Sequence, residues 1–155
     1  REDLMTFLEN KGLPRNKNIS RDTARIMVVD DDADICEMLR RIFQKERFEV
    51  DIALNGFEAG IKMLIFSPDI IVLDLVMPGI DGFEVCKLIK NNPKTSHIKI
   101  LIYTGYDTEE NMNKAVEAGV DGFLNKTVPK RILLDVIVQL LRTSSSDRII
   151  TKSIS

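Results

Sequence analysis

Cysteine and histidine are scarce in this chain. Two cysteines, Cys36 and Cys86, and a single histidine, His97, stand among 155 residues. The cysteines fall in separate helical patterns and make no metal or redox motif. Nothing here suits zinc as a bound metal, a reducing cytoplasm is the expected compartment, and both thiols are read as small buried apolar groups. A dominant charge is missing too. With 22 basic and 24 acidic residues the net charge is −2, which gives no global attraction to nucleic acid or anionic lipid. No apolar run approaches the roughly 20 residues of a membrane helix, so no membrane partner is expected. The first residues are charged and polar, so no signal peptide is expected. There is no internal repeat. Hydrophobic residues make up 44% and charged residues 30%, as in ordinary globular proteins, and the length suits one domain with a core of normal size.

Against this background one acid is out of place. Asp74 interrupts Ile70-Ile71-Val72-Leu73-Asp74-Leu75-Val76-Met77, the most apolar stretch of the chain. An ionised group in a core strand costs several kcal/mol unless other groups replace its lost water. Two features suggest what does so. The run Asp30-Asp31-Asp32 ends an earlier apolar segment, and Lys126 ends a later one.

From Arg25 to Arg142 the pattern alternates between strand and helix. Residues 25–30, 50–54, 69–75, 98–104 and 122–126 read as strands, the third fully buried and the second more exposed. Helical spacing follows each: Ile35 to Phe43, Phe57 to Phe66, Phe83 to Ile89, Met112 to Ala118, and Ile132 to Leu141. Asp32 or Asp34, Asp81 and Asp107 are placed to cap helix starts, Gly119 to close a helix, and Pro129 to open the last. Phe57, Phe66 and Phe83 are read as core or helix-face packing, and His97 as a solvated side chain. Five strands alternating with five helices imply an α/β fold, a doubly wound parallel sheet with helices on both faces.

In such sheets ligands bind beyond the carboxyl ends of the strands. Asp30 and Asp31, Asp74, Thr104 and Lys126 all stand at those ends, on four separate strands. Two carboxylates about 4 Å apart repel by on the order of 4 kcal/mol at an effective dielectric near 20. Either their pKa values rise or a cation joins them. A hard divalent ion such as Mg²⁺ suits an oxygen-only donor set.

The segments Val28-Val29-Asp30-Asp31-Asp32, Asp74-Leu75-Val76-Met77-Pro78-Gly79-Ile80-Asp81-Gly82, Tyr103-Thr104-Gly105 and Ala118-Gly119-Val120-Asp121-Gly122-Phe123-Leu124-Asn125-Lys126 occur in this order. Together they resemble the receiver domain of response regulators in two-component signalling, similar to the chemotaxis regulators, from Arg25 to Arg142. The resemblance implies a flavodoxin-like five-stranded sheet in the order 2-1-3-4-5. It implies that Asp74 is the phosphoacceptor for a phosphohistidine. Asp31, Asp74 and the backbone carbonyl of Val76 would be direct Mg²⁺ ligands, with Asp30 a ligand through water. Lys126 would pair with Asp74 and then with a phosphoryl oxygen, while Thr104 would move to bind that group, followed by Phe123 as the switch aromatic. The implied partners are a histidine kinase or phosphotransfer protein, and a second copy through the fourth helix, fifth strand and fifth helix.

Four positions depart from the family's usual pattern. Thr127 stands where proline, joined by a cis bond, usually follows the lysine, and a cis bond before Thr costs about 3 kcal/mol. Phe123 carries no hydroxyl. Val76 and Tyr106, each two residues past Asp74 and Thr104, cannot orient an attacking water as an acid or amide would, so a long-lived phosphoryl group is expected. Two rival readings are a receiver-like scaffold that works without phosphorylation and a Mg²⁺-dependent aspartyl phosphohydrolase. Val76 argues against the hydrolase, which needs a second acid at that position.

Outside the domain of residues 25–143, residues 1–24 are expected to form a helix and a polar linker, and residues 144–155 a loose, Ser-rich tail. Arg1 to Leu13 faintly resembles the last helix of excisionase-like winged-helix domains. The stronger reading is an amphipathic helix that packs on the domain or on a second chain. No complete helix-turn-helix and no basic face are present, so direct nucleic-acid binding is not expected.

Overall fold

The computed structural model describes residues 23–143 and 149–150. The helix and linker expected before residue 23, and most of the tail, lie outside the described residues. Five parallel strands carry the fold: β1 (Arg25–Val29), β2 (Glu49–Ala53), β3 (Ile70–Leu73), β4 (Lys99–Thr104) and β5 (Gly122–Asn125). Five helices alternate with them: α1 (Ala33–Lys45), α2 (Gly56–Phe66), α3 (Gly82–Asn91), α4 (Glu109–Ala118) and α5 (Lys130–Arg142). The strands lie in the order β2-β1-β3-β4-β5, as expected.

One further strand extends the sheet. β6 (Ile149–Ile150) pairs in parallel with β5, Gly122 opposite Ile149 and Phe123 opposite Ile150. The expectation of a loose tail fails at these two residues. An edge strand offers a row of unpaired backbone groups, and the β-branched pair Ile149-Ile150 is well suited to take them up.

Alternation along the central strands builds two cores. In β1, Ile26 and Val28 face one side, packed with Leu39 and Phe43 of α1 and Leu133 and Ile137 of α5. Met27 and Val29 face the other, packed with residues of α2, α3 and α4. Burial on both faces is why β1, β3 and β4 read as continuous apolar runs, whereas β2 at the edge is exposed at its start.

Helix ends follow local chemistry. Asp32 caps α1, its Oδ1 accepting from the N–H groups of Asp34 (3.0 Å) and Ile35 (3.3 Å). Asp81 caps α3 through the Phe83 N–H at 2.9 Å. The cap of α4 is Thr108 rather than Asp107, because the Thr108 hydroxyl stands at the right offset to accept from the Asn111 N–H (3.1 Å). Gly119, at φ 84°, ends α4 in the left-handed conformation. Between β3 and α3 the chain forms a small antiparallel ribbon, Val76–Met77 against Ile80–Asp81, turning at Gly79 with φ 75°. Phe57 is not packed as expected: it points to solvent from α2. Among the described residues no helix is long and apolar enough to cross a membrane.

The amino-terminal end of the sheet is closed by buried acids. Asp69 accepts from the Arg25 N–H at 2.7 Å. Asp121 accepts from the Ile100 N–H at 2.8 Å and from Lys90 Nζ at 2.7 Å. Lys90 Nζ also donates to the Ile98 carbonyl at 2.7 Å.

Candidate functional site: an acidic cluster with one lysine

The opposite, carboxyl-terminal end gathers the acids singled out from the sequence. Asp30 follows β1 directly and is held by its N–H donating to the Ala53 carbonyl (3.1 Å). Asp74 follows β3, with its N–H donating to the Val29 carbonyl (2.9 Å). Both are buried, while Asp31, one residue further on, is exposed. Carboxylate oxygens of Asp30, Asp31 and Asp74 all lie within 4.8 Å of one another.

Lys126 enters this cluster from the end of β5. Its Nζ stands 2.8 Å from Asp30 Oδ2 and 3.0 Å from Asp74 Oδ2. The sequence suggested the partner Asp74; the nearer Asp30 was not foreseen. Backbone contacts fix where the lysine starts: its N–H donates to the Thr104 carbonyl (2.9 Å) and its carbonyl accepts from the Tyr103 hydroxyl (3.3 Å). The Lys126–Thr127 bond is trans, since the described residues contain no cis peptide. Asn125 Oδ1 instead orders this turn, accepting from both the N–H (2.8 Å) and the hydroxyl (2.7 Å) of Thr127. Tyr103 and Asn125 are thus supporting residues that sequence reasoning passed over, because each alone reads as an ordinary strand residue.

The electrostatics of the cluster are governed first by burial and then by the lysine. Burial pushes the Asp30 carboxyl above its ordinary value, against the lowering influence of Lys126 and of the Asp32 N–H. Burial pulls Lys126 down, but hydrogen bonds and charge from Asp30 and Asp74 outweigh it and leave the ammonium above its ordinary value. Among the described residues one ammonium faces three carboxylates, which leaves an excess of negative charge in the cluster. All its clustered donors are oxygens, and the exposed Asp31 leaves one side open to water. That fits a hard divalent ion such as Mg²⁺, which favours octahedral oxygen ligands and retains waters. Cys36 donates to the Asp30 carbonyl at 3.3 Å, yet its thiol is pushed up to about 11, chiefly by burial, and so it is no competing soft ligand.

The remaining residues line the same rim. Val76 is exposed, and its N–H donates to Asp74 Oδ1 at 3.3 Å. Thr104 ends β4 fully buried, its Oγ1 accepting from the Tyr106 N–H at 3.3 Å. A side-chain carbon at Gly105 would meet no atom within 4 Å, so packing does not demand glycine there. Phe123 is 0% exposed and packs in the core that holds α4.

Residues 26–138 match the family model of the response regulator receiver domain. The chain belongs to this family. It is the receiver domain of a two-component response regulator, a signalling module. It is 39% identical over 123 residues to the transcriptional regulatory protein ResD of Bacillus subtilis (strain 168), covering 79% of this chain and 50% of ResD. It is 36% identical to the chemotaxis protein CheY of Halobacterium salinarum, covering 76% of this chain and 96% of that protein. The solved signal receiver domain of a DNA-binding response regulator (merR) from Colwellia psychrerythraea 34H superposes with a TM-score of 0.73 at 31% identity, covering 77% of this chain and 99% of that one. The match thus spans half of ResD and nearly all of CheY.

Proposed function

We propose that this receiver domain is a phosphorylation-controlled switch with Asp74 as the acceptor. The observation that carries this reading is the bridge from Lys126 Nζ to Asp30 Oδ2 and Asp74 Oδ2, at 2.8 and 3.0 Å, with Asp31 completing a carboxylate triad. An Asp74 oxygen attacks the phosphorus of a phosphohistidine on a histidine kinase or phosphotransfer partner. An O–P bond forms, the N–P bond breaks, and the imidazole leaves. Such transfer needs alignment and neutralised oxygens more than covalent assistance from the protein. Asp31, Asp74 and the Val76 carbonyl, with Asp30 through water, would hold Mg²⁺, which when bound neutralises phosphoryl charge. Lys126 exchanges its contact with Asp74 for a phosphoryl oxygen.

Thr104 then gives up the Tyr106 N–H and turns its hydroxyl to the new group. Phe123 is already buried, so its part is a shift within the core rather than an entry from solvent. The surface of α4, β5 and α5 changes in consequence, as a population shift biased by contacts to the phosphoryl group. That surface is the place for a second copy or an output partner. β6 lies on the same edge of β5, so a dimer there has to accommodate or displace it. A cytoplasmic location goes with this role.

Incubation with acetyl phosphate and Mg²⁺, followed by intact mass, tests the proposal. A stable gain of one phosphoryl group is expected, persisting for minutes because Val76 and Tyr106 offer no acid or amide to orient water. Continuous turnover of the donor would indicate a phosphohydrolase, and an unchanged mass a scaffold that needs no phosphate. Loss of the phosphoryl group within seconds would refute the expected lifetime.

A further inference from the structure

The outer face of α2 is apolar where it meets water. Phe57 is 67% exposed, Ile61 52%, Leu64 77% and Ile65 80%. At i, i+4, i+7 and i+8 they make one ridge along the helix. Single exposed apolar residues need no explanation, but a contiguous patch marks an interaction surface. Beside the ridge runs a furrow. A side-chain carbon added at Gly60 would meet nothing within 4 Å, and an apolar cleft of about 170 Å³ opens there between α2 and α3. Ala59 and Met63 line it from α2, and Val85, Ile89 and the exposed Leu88 from α3. An apolar cavity of about 150 Å³ accepts a benzene ring, so the cleft has room for one leucine side chain.

Shape, charge and area say what covers this face. Ridge and furrow lie on one helix, with Leu64 about one turn beyond Gly60. When two copies of α2 pack antiparallel about a two-fold axis, Leu64 of each stands over Gly60 of the other. A single contact then fills both clefts, and such a self-complementary surface is what a closed two-fold dimer uses. The charges beside the ridge are already paired. Glu58 meets Lys62 at 2.8 Å, and on α3 Lys87 stands 3.8 Å from Glu84. Charges matched within one copy neither repel a second copy nor single out a partner of opposite sign. The ridge and Leu88 leave roughly 600 Å² of apolar surface per copy, against about 800 Å² for each partner of a standard interface. The furrow and the polar rim supply the remainder.

We propose that the outer face of α2 is a homodimer interface, in which Leu64 of each copy enters the cleft between α2 and α3 of the other. This contact is separate from the surface of α4, β5 and α5 and needs no phosphoryl group. It is independent of the phosphoacceptor reading, since none of these residues belongs to the acidic cluster.

Sedimentation velocity of the 155-residue chain, in EDTA and without a phosphodonor, tests this. A monomer–dimer equilibrium at micromolar concentrations is expected. Leu64→Glu removes the anchor and should weaken the dimer by about tenfold or more. Gly60→Leu fills the cleft from within and should weaken it to a similar degree. The same change should raise the thermal midpoint of the diluted monomer, since leucine favours a helix over glycine; a folding defect would lower it. Val116→Glu, at a part-exposed position on α4, should leave the equilibrium unchanged. A dimer that survives Leu64→Glu and Gly60→Leu, or that is lost with Val116→Glu, overturns the proposal. So does a monomer at every concentration. In a monomer, slow amide exchange across residues 57–66 would make a segment of the same chain the occupant, and fast exchange would leave the face to a different protein.

Discussion

The two ends of the sheet both set a half-buried lysine against buried aspartate, and they do opposite things with it. At the amino-terminal end Lys90 meets one acid, Asp121, at 2.7 Å. The remaining capacity of both is used by backbone groups, the Ile100 N–H and the Ile98 carbonyl. Charge is matched and the site is closed. At the carboxyl-terminal end Lys126 meets Asp30 and Asp74, and Asp31 adds a third carboxylate that no lysine among the described residues balances. A matched buried pair stays where it is, because removing either partner strands a charge. An unmatched cluster is set up to exchange partners. A buried ion pair by itself therefore says little about function; the surplus of charge is what separates the proposed signalling end from the structural one.

The contrast is sharpest in stability. Asp121→Asn should strand Lys90 and cost about 3–5 kcal/mol, visible as a large fall in the denaturation midpoint. Asp74→Asn removes a carboxylate from a crowded cluster and leaves Lys126 with Asp30, so its midpoint should fall far less or rise. Equal losses in the two variants would break the comparison.

Divalent ions should act at one end only. Mg²⁺ at a hundred times its dissociation constant should stabilise the unmodified protein by about 2.7 kcal/mol. Asp31→Asn should remove most of that gain, while substitutions at Lys90 should leave it intact. Thermal melts with and without Mg²⁺ decide this. Lys126→Met should tighten Mg²⁺ binding by about tenfold, or ~1.4 kcal/mol, because the ammonium competes for the same oxygens; weaker binding would contradict that competition.

The pH response of Lys126 has a definite sign. Its pKa is raised in the folded state, so the protonated group favours folding. That contribution is complete below its unfolded value and is lost as pH climbs through the higher folded value. The fall in stability above about pH 10.4 should be shallower in Lys126→Met than in the unmodified protein. The smallest effect concerns the thiols. Burial pushes Cys86 up to about 12 and Cys36 up to about 11, so neither should react with a thiol reagent at neutral pH until the protein unfolds.

How legible the molecule was in its sequence depends on the element. β1, β3 and β4 were readable because burial on both faces leaves uninterrupted apolar runs, and an acid inside or just after such a run stands out. Asp30, Asp31 and Asp74 could be singled out on that basis, and Thr104 and Lys126 by their place at strand ends and by the family resemblance; the structure brings the three acids and the lysine together. The Lys126–Asp30 contact was not readable, since it depends on side-chain reach between the ends of β1 and β5. Lys90 with Asp121 was missed because a single charge on a helix reads as solvated until its partner strand is in place. The exposure of Phe57 was missed for a related reason: α2 is apolar nearly all round, so periodicity cannot say which side faces the sheet. The tail strand β6 was missed because two residues make no pattern.

The central claim is that Asp74, among all the carboxylates, receives the phosphoryl group. Unmodified protein, Asp74→Asn and Asp121→Asn should be incubated side by side with acetyl phosphate and Mg²⁺, and their intact masses measured. The account predicts one phosphoryl group on the unmodified protein and on the folded fraction of Asp121→Asn, and none on Asp74→Asn. Undiminished labelling of Asp74→Asn would contradict it.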